Sequence, residues 1–286
     1  MPVILKNDFP VAEALRGFRD GVCKEPALRI GIVNLMPLKE RTEADLLRIL
    51  DNYPLPVEVD FISMTSHRSR NSSQERVDRY YVKSVEAMRR HYDGLIVTGA
   101  PVELKPFEEV DYWDELTRLM DWAADNVKST MYVCWGAFAG LYHRYRIQKR
   151  VLPSKLSGVY RHYVADPAEA VITGFDAEFD VPCSRNTEID TEAMLREPEL
   201  KVTVDCQIAG PHLITGRGGR EFYVMGHWEY APDTLDMEYR RDCAKGINPS
   251  VPENYYRDNN PDNGYVSCWH SHGNLFYMNW LTHYVK

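Results

Sequence analysis

The chain has 286 residues, 44% hydrophobic and 27% charged, a length that buries a full core and the composition of an ordinary soluble globular protein. A net charge of -8 without clustered Lys and Arg speaks against a nucleic-acid binder, because neutralising phosphates calls for a basic patch. Six cysteines with no CxxC pair, no apolar run of bilayer-spanning length and no signal-peptide pattern predict a reduced, cytoplasmic setting without a membrane partner.

In chain order, residues 1–27 read as a leading arm with one amphipathic helix over 11–18. The run Arg29-Ile30-Gly31-Ile32-Val33-Asn34-Leu35-Met36, stopped by Pro37, suits a central parallel strand covered on both faces. From Thr42 a helical pattern puts Leu46, Leu47, Ile49 and Leu50 on one side, with Thr42 and Glu43 as its cap. A strand over 57–62 leads to a polar loop, 66–73. Its Arg68 and Arg70 stand either where α/β sheets bind ligands or simply in solvent. A charged helix over 75–90, a strand and loop over 92–101 and a helix over 111–126 complete the alternation. That order predicts an α/β fold: a three-layer, doubly wound, mostly parallel sheet with helices on both faces.

Residues 150–220 hold turns and short strands, at 155–160, 181–185 and 201–204, and predict a small antiparallel addition to the sheet. A strand over 220–226 returns to the core, a helix over 232–245 follows, and the aromatic tail with Trp269, Phe276, Tyr277, Trp280 and Tyr284 closes the core. No linker or repeat divides the chain, so one domain is expected over 1–286, with its core at 28–286.

Chemistry concentrates at Met131-Tyr132-Val133-Cys134-Trp135-Gly136-Ala137. β-formers run into one cysteine, then small residues and helix formers follow, the pattern of strand, sharp turn and helix. Cys134 at that turn would sit at the positive end of a helix dipole, which favours the thiolate. The alternative is a buried cysteine ending a core strand. At the end of the 220–226 strand stand His227 and Glu229, two apart and so on one face, where the carboxylate can orient the ring. With Cys134 on the same predicted sheet edge, the three residues have the logic of nucleophile, base and orienter.

Other candidates carry plainer readings. Cys183 either lines the site or packs, and Lys39, in the turn after the first strand, reaches either a bound phosphate or the oxyanion region, or neither. His270 and His272 stand two apart without a third ligand, so no metal is expected.

Val133-Cys134-Trp135, Gly226-His227-Trp228-Glu229-Tyr230, Asn34-Leu35-Met36-Pro37, Val97-Thr98-Gly99-Ala100-Pro101, Lys155-Leu156-Ser157-Gly158-Val159-Tyr160 and Ser271-His272-Gly273-Asn274-Leu275 resemble the homoserine O-acyltransferase family of methionine biosynthesis. The likeness runs in order from about residue 30 to the end. It implies a class I glutamine-amidotransferase-like, flavodoxin-like fold and, as partner, a second copy of the chain in a homodimer. By the resemblance Cys134 is the acyl-thioester nucleophile, His227 the proton acceptor and Glu229 its partner, while Lys155, Ser184 and Arg241 fall on substrate-binding positions. Trp228 departs from the residues common between that His and Glu and is expected to point away from the site.

The implied reaction is a ping-pong transfer from acetyl-CoA, a co-substrate rather than a bound cofactor, to the hydroxyl of L-homoserine. Its oxyanion needs backbone donors, for which Trp135 N–H and, from the loop over 99–102, Val102 N–H are the candidates. Arg241 offers a planar fork for the α-carboxylate, or else is a helix-end charge in solvent; Lys155 is either a ligand or an exposed lysine before a turn. In that family a Glu at the position of Glu103 goes with acetyl-CoA and a Gly with succinyl-CoA. Competing readings are a homoserine O-succinyltransferase, a serine acyltransferase, a glutamine amidotransferase and a non-catalytic module on the same fold.

Overall fold

The computed structural model describes residues 3–5, 9–10, 28–66 and 73–286. The helix expected over 11–18, together with Arg68 and Arg70, lies outside the described residues. Strands β1 (Val3–Ile4), β2 (Leu28–Val33), β3 (Val57–Ser63), β4 (Val82–Lys83), β5 (Gly94–Val97) and β6 (Ser129–Val133) belong to the first half of the chain. β7 (Lys149–Val164), β8 (Glu178–Ile189), β9 (Leu200–Asp205), β10 (Leu213–Gly216) and β11 (Glu221–Val224) follow. All join one sheet in the order β1-β3-β2-β5-β6-β11-β10-β9-β7-β8, with β4 also on β3. From β1 to β11 every pairing is parallel, and from β11 to β8 every pairing is antiparallel.

Helices α1 (Lys39–Leu50), α2 (Gln74–Tyr80), α3 (Ser84–Ala87), α4 (Trp113–Asn126) and α5 (Trp135–Tyr145) accompany the parallel half, and α6 (Thr191–Leu195), α7 (Thr234–Ala244) and α8 (His270–Trp280) come later. The layers follow from strand alternation. Ile30 and Ile32 of β2 pack with Leu46, Leu47 and Leu50 of α1 and with Phe276 and Trp280 of α8. Val33, Leu95 and Val97 point the other way, onto Leu116 and Leu119 of α4 and Phe138 of α5. Each such side chain removed from water contributes about 1.5–3 kcal/mol. The aromatic tail is core as expected, with Trp269 and Trp280 fully buried and the Trp280 indole N–H donating to Ser129 Oγ at 3.0 Å.

Four sequence expectations are corrected. The first helix starts at Lys39 rather than Thr42, with no side-chain cap from Leu38, because Glu43 is a core link: it accepts from Tyr81 O–H at 2.6 Å and pairs with Arg76. The helix over 75–90 is broken into α2, β4 and α3. Tyr81, extended at φ -100° and ψ 145°, is drawn into the core by Glu43 and Asn34. The strands at 155–160 and 181–185 are not short: they are parts of β7 and β8, of 16 and 12 residues, whose register shifts between Val151 and Leu156. β10 was not anticipated; it pairs with both β9 and β11 and carries the sheet from its parallel to its antiparallel half.

Candidate active site

β6 delivers Cys134 in a backbone conformation that an L residue seldom takes, φ 52° and ψ -117°. Its N–H donates to Val224 O at 2.7 Å, which ties the elbow to β11. Its C=O accepts from Ala137 N–H at 2.9 Å and from Phe138 N–H at 3.2 Å, the first turn of α5. Gly136 is required there, since a Cβ would fall 2.7 Å from Val97 O and 2.8 Å from Thr98 O. Gly99 lies against the cysteine: a Cβ on it would stand 3.3 Å from Cys134 Cβ and 3.8 Å from Sγ. The loop over 99–102 therefore passes beside the sulfur, and Trp135 opens α5 with an N–H that has no acceptor inside the helix.

The register of the two parallel strands explains why the other two residues arrive here. Val133 lies opposite Val224, so the chain leaves β11 beside the elbow. The expected strand over 220–226 stops at Val224, however, and His227 and Glu229 do not share a strand face. Met225 N–H donates to His212 O at 2.8 Å and His227 N–H to Pro182 O at 2.9 Å, pulling the backbone off the β6 ladder. A turn, closed by Tyr230 N–H on His227 O at 3.2 Å, then folds Glu229 back. Its Oε1 lies 2.7 Å from His227 Nδ1, and Tyr230 stacks on the ring with centroids 4.1 Å apart. His227 is 3% exposed. Burial by itself pushes the imidazolium down, but the Glu229 carboxylate and the Cys134 sulfur outweigh it and raise the ring well above its ordinary value. With Nδ1 committed to Glu229, Nε2 is the nitrogen left for exchange with a thiol or a hydroxyl.

Cys134 and His227 line one open cavity of about 830 Å³, and Glu103, Lys155, Ser184 and Arg241 line it too. Val102 also faces the cavity, whereas Trp135 is buried among Phe107 and Tyr112 and has only its backbone to offer. Lys155 does not precede a turn; it lies within β7, with Nζ 3.4 Å from both Glu238 Oε2 and Asp242 Oδ2. Ser184 O–H donates to Glu238, which also accepts from Tyr230 O–H at 3.0 Å. Arg241, in the last turn of α7, is half exposed and turned onto Asp242, with Nε 2.8 Å from Oδ1. Its pairing holds the Asp242 carboxyl below its ordinary value against the opposing effect of burial, with Lys155 helping. Glu103 is no free loop acid: its carboxylate accepts from Asn186 N–H at 2.8 Å, from Asn186 Nδ2 at 2.6 Å and from Thr187 O–H at 3.2 Å.

One wall of the cavity is a strap, residues 247–253, which meets β7 in an isolated parallel bridge between Gly158 and Glu253. Val159 N–H donates to Glu253 O at 2.8 Å and Glu253 N–H to Ser157 O at 2.9 Å. The bridge needs Gly158, which has φ 152° and where a Cβ would fall 2.4 Å from Glu253 O.

Sequence reading missed Glu238, Asn186 and Tyr230. A signal existed for each: Glu238 stands one helical turn before Arg241, Asn186 shares a strand face with Ser184, and Tyr230 ends the His227 turn. Lys39 is not a cavity residue. It is buried, donates to Asn34 O at 2.7 Å and lies over the Tyr81 ring, and burial pushes it down to about 8. Cys183 packs with Tyr160 and Cys206 instead of lining the cavity. Trp228 points away, its ring 4.4 Å from that of Phe276. His270 meets Tyr230 O and His272 meets Asp176, so the two rings do not converge. Among the described residues no group of three or more His, Cys, Asp or Glu is arranged to hold a metal, and no helix is long and apolar enough to cross a membrane.

The family model described as homoserine O-succinyltransferase matches residues 21–286. The chain belongs to the homoserine O-succinyltransferase family. Membership makes it an acyltransferase. Within this family, a homoserine O-acetyltransferase of Bacteroides fragilis is 48% identical, over 100% of this chain and 96% of that protein. One of Parabacteroides distasonis is 45% identical, over 100% of this chain and 94% of that protein. Among solved structures, a glutamine amidotransferase from Thermotoga maritima superposes with a TM-score of 0.59 at 10% identity, over 92% of this chain and 100% of that one. Another glutamine amidotransferase, from Methylobacillus flagellatus, gives 0.54 at 12% identity, over 89% of this chain and 94% of that one. At such identities the structures speak for the fold alone, and that fold is the class I glutamine-amidotransferase-like architecture.

Proposed function

We propose that the protein is a homoserine O-acetyltransferase that carries the acetyl group on Cys134. The observation that carries this reading is the meeting of a cysteine on a strained elbow and a carboxylate-oriented histidine in one cavity lined by Glu103. The Cys134 thiolate attacks the thioester carbonyl of acetyl-CoA, the carbonyl carbon's bond to the CoA sulfur breaks, and CoA leaves as a thiol with the proton from the His227 imidazolium. The homoserine hydroxyl then attacks the acyl-enzyme and gives its proton to His227 Nε2, a step worth about 10²–10⁴-fold. Collapse of the tetrahedral intermediate returns the Cys134 thiolate. Glu229 stabilises the ring when it is charged, and the Trp135 and Val102 N–H groups receive the oxyanion.

Lys155, Ser184 and Arg241 take the acceptor. Arg241 swings from Asp242 to the α-carboxylate, and Glu238, already a hub for Lys155, Ser184 and Tyr230, faces the ammonium. Glu103 sets the donor. A succinyl carboxylate about 4 Å from it at an effective dielectric of ~20 would be repelled by roughly 4 kcal/mol, whereas acetyl brings no charge. The names of the relatives support acetyl as well. This reading takes the chain as a single domain acting in the cytoplasm as a homodimer, without a bound cofactor or metal, and light scattering on the purified protein measures its subunit count.

Intact-mass spectrometry after mixing with acetyl-CoA alone and with succinyl-CoA alone tests the reading. One acetyl adduct, lost on adding homoserine and absent in Cys134→Ala, is expected. Glutamine hydrolysis without consumption of acyl-CoA would replace it with an amidotransferase.

A further inference from the structure

A second and much smaller cavity, about 20 Å³, adjoins the base and is lined by Thr42, Asp45 and Leu46 of α1 together with Thr98, His227 and Glu229. That volume takes a single water, provided two or more polar groups face it. Glu229 is 7% exposed, and while its Oε1 is on His227, its Oε2 is buried with no hydrogen-bond partner among the described residues. An unpaired buried carboxylate oxygen is costly, so something in this space is expected to meet it.

Asp45 is the other acid on the cavity, 5% exposed. Its ion pair with Arg41 Nε, at 3.6 Å, is too long for a hydrogen bond. Arg41 spends its outer nitrogen on Asp233 and Thr234, and Arg48 donates to the backbone O of Glu229 at 2.8 Å. Both arginines still act on the acids through their charge, but Arg41 Nε and Arg48 Nε are themselves buried without a hydrogen-bond partner among the described residues, so neither nitrogen meets Asp45 or Glu229 Oε2 directly. Burial pushes the Asp45 carboxyl up to about 7; Glu229 and Asp233 act in the same direction, and Arg41 and Arg48 oppose them. Tyr277, on α8, also faces these acids.

We propose that Asp45 is a positioning residue for the catalytic base: one water in the small cavity bridges its carboxyl to Glu229 Oε2, with Thr42 as a third partner, and so holds Oε1 on His227 Nδ1. The water donates to Oε2 in either state of Asp45. It accepts from Asp45 when that carboxyl is protonated and donates its second hydrogen to it when ionised. An ionised Asp45 also adds a negative charge that supports the imidazolium. The proposal rests on His227 and Glu229 acting as described under the proposed function.

Two variants separate the bridge from the charge. Asp45→Asn keeps a polar neighbour for the water and mimics the neutral acid, and Asp45→Ala removes both. Asp45→Ala is expected to lower kcat by about ten- to a hundredfold with KM for both substrates unchanged, the cost of a slightly misplaced catalytic group. Asp45→Asn should match the wild type at pH 6 and fall behind it at pH 8. In ¹⁵N NMR its His227 ring should titrate at lower pH than in the wild type, a shift that mere loosening of α1 would not produce. Thermal unfolding checks that each variant is folded, and if Asp45→Ala is not, Asp45→Asn decides alone. Wild-type kcat and pH profile in the folded variants, or a change in KM alone, overturns the proposal. If that happens while wild-type protein still forms its Cys134 acyl adduct, only the role of Asp45 falls; if no adduct forms, the underlying reading falls with it.

Discussion

The parallel and antiparallel halves of the sheet build their shares of the cavity by different means. On the parallel side, backbone does the positioning: Cys134 N–H is tied to Val224 O, and Gly136 lets α5 close onto the carbonyls of Val97 and Thr98. On the antiparallel side, side chains hold one another, as Lys155 and Ser184 do through Glu238 and as Asn186 does with Glu103. The hairpin of β7 and β8 is also less covered, with Val151 65% exposed near the cavity mouth. A reacting atom fixed by main chain tolerates little change, whereas paired polar groups can be exchanged one at a time. Substitutions in the first region should therefore strike kcat, and those in the second should strike KM and choice of substrate.

The sharpest break of this contrast is Cys134→Ala, expected to lose the acyl adduct and to lower turnover by on the order of 10⁴-fold or more, read by intact mass and steady-state assay. Glu229→Gln should cost about 10²–10⁴-fold in kcat with little change in KM, since the ring loses the charge that orients it. Among the paired polar groups, Glu103→Gly, on the loop after β5 but held by Asn186 and Thr187 of β8, should raise succinyl-CoA use relative to acetyl-CoA by up to about a thousandfold, the full value of removing a repulsion of roughly 4 kcal/mol; unchanged preference in competition assays would refute it. Arg241→Ala should raise the homoserine KM by roughly ten- to a hundredfold and leave acyl-enzyme formation intact, as a carboxylate fork used only in the second half-reaction would.

One further effect falls on stability rather than on turnover. Burial lowers His162, on β7, to about 4, and His212 is lowered in the same direction by burial and by the neighbouring His162. An unfolded histidine binds its proton near 6.5, so between about 6.5 and 4 the unfolded chain holds more protons and stability falls as the pH falls. The loss amounts to on the order of 3 kcal/mol for His162 alone, and thermal melts of His162→Gln should show a shallower decline across that window.

What could be read from the sequence follows the same division. Continuous apolar strands and the small residues after Cys134 are local signals, so the parallel sheet, its two helical faces and the elbow were legible in the order of residues alone. His227 and Glu229 do pair, but the sequence paired them for a partly mistaken reason, because the end of β11 depends on His212 and Pro182, remote residues whose carbonyls capture its backbone. The break at Tyr81 and the burial of Lys39 were hidden for the same cause: Tyr81 is held by Glu43 and Asn34, and Lys39 is covered by the Tyr81 ring, partners remote in the chain that leave the local periodicity unchanged. Glu103 could be named but not its support, since Asn186 and Thr187 lie more than 80 residues away.

The want of a side chain at Gly158 ties two walls of the enclosure together. Because two main-chain hydrogen bonds join the strap to β7 there with no room for a Cβ, Pro249 and Ser250, which line the cavity a few residues before Glu253, are anchored to the same strand that carries Lys155. Even a methyl group at position 158 would have to force strap and strand apart, and so would loosen two sides of the cavity at once.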